Sequence, residues 1–95
     1  MHPDFDHLEY PENGPRYTVE GVFEGAQVTV ATGYSGSNDN WPYHVYVVFE
    51  NGERHRVTEG MQFAHSTLDG ARYQGLQLAA DFIRRRAGGF QKVVR

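Results

Sequence analysis

The feature that most constrains this chain is the run from Ser66 to Ala87, in which Leu68, Ala71, Gly75, Leu78, Ala79, Phe82 and Ile83 recur at three- and four-residue spacings. That period places them on one side of an α-helix, with Leu76, Ala80 and Ala87 widening the side and Gln74, Gln77, Asp81, Arg84 and Arg85 opposite. Ser66 followed by Asp69 has the form of a capping box, Arg84, Arg85 and Arg86 suit the negative end of the helix dipole, and Gly88 supplies a stop. A helix with so wide an apolar stripe draws its stability from whatever it packs against, so the rest of the chain has to provide a surface.

Two predicted hairpins provide it. From Tyr17 to Thr32 the chain turns at Glu24-Gly25, and a two-residue loop opposes Phe23 to Ala26, Gly21 to Val28, Val19 to Val30 and Tyr17 to Thr32, gathering the apolar side chains on one face. In the segment that begins at Tyr43 the turn signal is Asn51-Gly52. A three-residue loop, with Gly52 left-handed in a bulge, opposes Phe49 to Glu53, Val47 to His55 and Val45 to Val57; a two-residue loop would set Arg54 and Arg56 among the apolar residues. Met61 and Phe63, in the connector to the helix, are expected to plug the core, and residues 90–94 are expected to add a short fifth strand. The expected fold class is therefore α+β: a four-stranded antiparallel sheet of two hairpins with one C-terminal helix packed on one face. Residues 1–15, rich in proline and acidic side chains, read as an extended N-terminal arm in front of a single domain spanning 16–95.

Composition narrows the function classes. At 95 residues the chain supports one modest core, and 14% aromatic content argues against disorder. With no cysteine there is no thiolate metal site, disulfide or cysteine nucleophile. No apolar run approaches membrane-spanning length, so a cytoplasmic protein without a membrane partner is expected. A net charge of −3 disfavours non-specific nucleic-acid binding.

The candidate chemistry is sparse. Gly33-Tyr34-Ser35-Gly36-Ser37 falls one residue short of a nucleophile elbow and is followed by a loop rather than a helix. The five histidines show no zinc-binding spacing, and neither a metal nor a cofactor is expected. Tyr34, Asn38, Asp39, Asn40 and Trp41 form a polar, aromatic loop suited to stacking on a sugar or base, though the same residues also make ordinary turns. Arg72, within the apolar stripe, is expected to snorkel past the sheet edge or pair with Glu59 or Asp69.

The strongest candidate is the sheet face that a single helix leaves bare. In the chosen registers it carries Val22, Ala31, Tyr46 and Val48 among Glu20, Thr29, His44, Arg54 and Arg56. Three occupants suit it: a second copy of the chain, the arm through Phe5, Leu8 and Tyr10, or an external ligand. The expectation is a non-catalytic interaction or regulatory module that forms a homodimer or engages a protein partner through Val22, His44, Tyr46, Val48, Arg54 and Arg56. The alternative is a nucleic-acid-binding domain using Arg54, Arg56 and Tyr46.

Overall fold

Strict alternation along Ala26–Gly33, where Ala26, Val28, Val30 and Thr32 are buried and the residues between them are not, makes this strand the centre of a one-sided sheet. The computed structural model describes residues 5–10, 12–13, 16–58, 60 and 62–94, and for residues 6, 7, 12, 13, 16 and 87–94 the backbone alone. In chain order the elements are β1 (Asp6–Glu9), β2 (Glu12–Asn13), β3 (Arg16–Phe23), β4 (Ala26–Gly33), β5 (Trp41–Val48), β6 (Arg54–Arg56), β7 (Phe63–His65) and α1 (Leu68–Val94). The seven strands lie in five antiparallel lanes, because β1 and β2 both pair with β3, and β6 and β7 both pair with β5. The architecture is α+β, with α1 packed across one face of an antiparallel sheet.

Both hairpin registers agree with the alternation of apolar residues. In β3–β4, Phe23 opposes Ala26 and Val19 opposes Val30. Glu24 and Gly25 both have positive φ, 48° and 85°, as a primed turn requires to match the twist of the strands. In β5–β6, Val47 opposes His55, Phe49 N–H donates to the Glu53 carbonyl at 2.8 Å, and Gly52 takes a φ of 90°. Gly52 is therefore the left-handed residue of the three-residue loop.

The sheet is wider than the four strands expected. Residues of the N-terminal arm form an outer lane beside β3, with Glu9 opposite Glu20 and Glu12 opposite Tyr17, and β7 extends the lane that β6 begins. Residues 90–94 do not add a strand: α1 continues through Gly88 and Gly89 to Val94. The three arginines are thus followed by about two more helical turns rather than a terminus. The cap also differs by one residue. Thr67, not Ser66, is the N-cap, its Oγ1 accepting from Gly70 N–H at 3.0 Å while its carbonyl accepts from Ala71 N–H at 3.0 Å. Met61 lies outside the described residues; Phe63 stacks on Tyr43 with ring centroids 5.8 Å apart.

The core lies between the sheet and α1. Val19, Phe23, Val28, Val30, Val45 and Val47 project from the strands, and Ala71, Leu76, Ala79, Ala80 and Ile83 from the helix. Phe5 and Leu8 join this side, Phe5 with its ring centroid 5.0 Å from that of Phe23. Among the described residues the two buried polar side chains are bonded: Thr32 Oγ1 donates to the Pro42 carbonyl at 2.7 Å, and Thr58 Oγ1 accepts from Val45 N–H at 3.3 Å. Gly75 sets the helix depth, since a Cβ built there would stand 2.5 Å from Val30 Cγ1.

Alanine ordinarily favours a helix over glycine by about 1 kcal/mol, but here the close approach reverses the sign. Gly75→Ala is expected to destabilise the protein by about 1–3 kcal/mol in urea unfolding. Its cost should shrink in a Val30→Ala background, where the opposing methyls are gone. Equal costs in both backgrounds would show that this contact does not set the helix position.

Candidate functional site

The face turned away from α1 is assembled by register. One row across the lanes runs Glu9, Glu20, Thr29, Tyr46, Arg56; the next runs Val22, Gln27, Val48, Arg54; a third runs Thr18, Ala31, His44. Residues directly opposite each other share a face, so Val22, His44, Tyr46, Val48, Arg54 and Arg56 are brought together on one surface. Tyr46 is 40% exposed, and Val22, Ala31 and Val48 are half-buried. Of the arm's described apolar side chains, Phe5 and Leu8 pack on the helix side rather than on this surface.

Charge divides the face into two halves. Glu9 and Glu20 stand opposite each other on adjacent strands, a like-charge pairing that is unfavourable unless a cation approaches. Among the described residues no lysine or arginine lies within ion-pair distance of either. They line an open depression with Val22, Gln27 and Thr29. Across the sheet, Arg54 and Arg56 border a second depression with Tyr46, Val48 and Thr29. Arg56 donates to His44 Nδ1 at 3.1 Å. Three lane spacings separate Glu20 from Arg56, about 14 Å, too far for the two halves to neutralise one another within the molecule.

Arg84 and Arg86 serve the opposite side of the sheet. Arg84 lies 3.7 Å from Glu24 and 5.0 Å above the Phe23 ring; Arg86 pairs with Glu53 and lies 5.2 Å above the Phe49 ring. The arginine run therefore clamps α1 to both hairpin turns. His55 Nε2 stands 3.2 Å from Glu53 Oε1, out of line for a well-formed hydrogen bond. Arg72 is half-buried, with its guanidinium 5.1 Å from the Tyr10 ring centroid and 5.8 Å from that of Tyr17; Asp69 is not its partner, and Glu59 lies outside the described residues.

The loop carrying Tyr34, Asn38, Asp39 and Trp41 is closed on itself. Ser35 and Asn40 exchange backbone hydrogen bonds, and Tyr34 Oη donates to Asp39 Oδ1 at 2.6 Å, a bond that, with some desolvation, raises the phenol's pKa. Trp41 is half-buried between Tyr17 and Tyr34, with centroids 5.8 and 5.4 Å away. Asn38 is exposed at the tip. Among the described residues no group of three or more His, Cys, Asp or Glu side chains is placed to hold a metal.

Sequence reasoning left Thr18, Gln27 and Glu9 off the face: the first two follow from the hairpin registers, whereas the alternation of Leu8 and Glu9 was the only signal for the third, too short to distinguish from a tail.

Glu53 provides a pH test of the helix clamp. Its carboxyl is held below the usual glutamate range by His55 first and by Arg86 after it, against opposing desolvation. A depressed native pKa contributes stability above the unfolded value, and that stability is lost as pH falls through the native value, so acidification between about pH 5 and pH 3 should cost the wild type more than Glu53→Gln. Urea midpoints for the two proteins should converge at the acid end; parallel curves would contradict the clamp.

No protein-family model, no curated protein and no solved structure matches this chain.

Proposed function

We propose that this chain is a non-catalytic interaction module that associates with a second copy of itself through the uncovered sheet face. The observation that carries this reading is a neutral centre of Val22, Thr29, Ala31, Tyr46 and Val48 flanked by unneutralised charge, on a sheet with its only described helix on the other side. Apolar side chains at the middle of a polar rim are what association surfaces present. The size is adequate. Five lanes by eight residues span roughly 24 × 27 Å, so two copies would bury about 1,200 Å², at the lower end of specific interfaces.

Light scattering over a concentration series tests it. Twice the 10.8 kDa chain mass is expected at tens to hundreds of micromolar, and Tyr46→Asp with Val48→Asp should give a folded monomer. A wild-type monomer throughout that range would overturn the reading.

A second reading rests on a separate observation, the clustering of His44, Arg54 and Arg56 around the exposed Tyr46 ring, a composition that stacks on and neutralises single-stranded nucleic acid. Glu9 and Glu20 on the same face and the net charge of −3 oppose it. It requires retention of a single-stranded oligonucleotide that weakens with salt and disappears in Arg54→Ala with Arg56→Ala.

A further inference from the structure

The layout of charge on the open face says how two copies would meet. We infer that the pair forms about a two-fold axis running along the strands and over β4, which sets the acidic half of each copy on the basic half of the other. This rests on the self-association proposed above and adds the orientation.

A two-fold parallel to the strands, lying between two stacked sheets, exchanges left and right lanes and leaves position along the strands unchanged. The β6 lane of one copy then lies over the β1 lane of the other, β5 over β3, and β4 over itself. In the row Glu9, Glu20, Thr29, Tyr46, Arg56, this operation places Arg56 over Glu9 and Tyr46 over Glu20. In the next row it places Val48 over Val22. The cation lacking beside the two carboxylates is supplied by the partner, and the phenol of Tyr46 gains a carboxylate acceptor. Val22 of each copy closes over Val48 of the other on either side of Gln27.

The other simple choice is a two-fold running across the strands, which lays every lane on its own counterpart. Glu9 and Glu20 would then face Glu9 and Glu20, and Arg54 and Arg56 would face themselves, in a desolvating interface where like charges are costly. The charge pattern therefore selects the axis. Aligned sheets pack with their strands about 30° apart because of their twist, which a two-fold tilted by about 15° from the strand direction produces. The contact is isologous and uses one face of each copy, so it closes at two.

Charge exchange tests this. An acidic-half variant, Glu9→Arg with Glu20→Arg, makes the face wholly basic, and a basic-half variant, Arg54→Glu with Arg56→Glu, makes it wholly acidic. Each alone should associate at least tenfold more weakly than wild type, and an equimolar mixture should recover a mixed dimer, which also shows that both variants fold. Should either variant fail to fold, wild-type association should still weaken severalfold between low and high salt. The chain has no cysteine, so Ala31→Cys gives a single thiol beside the axis. A short bismaleimide should join two copies through it efficiently, because β4 lies over β4 and the third row over itself. If the wild type is monomeric, the self-association reading fails and the orientation with it. If the wild type is a dimer that ignores both charge reversals and salt, or that does not cross-link through Ala31→Cys, the orientation alone is overturned.

Discussion

The approach of α1 to the sheet at Gly75 and Val30 is the constraint on which the rest of the structure depends. Because no side chain intervenes at that point, the helix sits close enough for Leu76, Ala79, Ala80 and Ile83 to reach between the strand valines. Small residues dominate the helix side of the contact and β-branched residues the sheet side, a division that allows dense packing without large side chains on the helix. The ends are then secured by separate means. Thr67 caps the start, and Arg84 and Arg86 reach outward to the two hairpin turns, each laying its guanidinium over a phenylalanine while meeting a carboxylate.

A helix committed so fully to one face leaves the other to be explained by its own chemistry. The helix side is apolar apart from the hydrogen-bonded Thr32 and Thr58, with its charges at the margins. On the bare side, the row from Glu9 to Arg56 is sorted by lane, acidic on β1 and β3 and basic on β6, with Thr29 and Tyr46 between. The rigid spacing of the lanes keeps the two signs apart. This separation distinguishes the face from an ordinary solvated sheet surface, where opposite charges on neighbouring strands offset each other locally.

Much of this was legible in the sequence, for identifiable reasons. Period-two alternation and the two glycine-containing turns were enough to set both hairpin registers, and with them the grouping of Val22, His44, Tyr46, Val48, Arg54 and Arg56. The helix was legible from its stripe, but its limits were not. Ser66 and Thr67 are both competent caps, and the choice between them depends on where His65 leaves β7. Gly88-Gly89 resembles a stop, yet glycine weakens a helix by only about 1 kcal/mol per residue and need not end it. The outer lane formed by β1 and β2 was hidden because its partner, β3, is what gives it structure. Prolines and carboxylates beside it read as tail, and Glu9 was lost from the face with it.

The outer lanes also bear on how far association can go. Each side of the sheet ends in two short pieces, β1 with β2 and β6 with β7, and β1 carries an irregularity in its pairing. A long, straight border would expose a continuous ladder of backbone donors and acceptors, an invitation for further strands to join and for growth to run on without limit. Interrupted borders offer no such template. A chain with broken borders is thus protected against strand-by-strand growth, and association through the proposed face would stop at two copies.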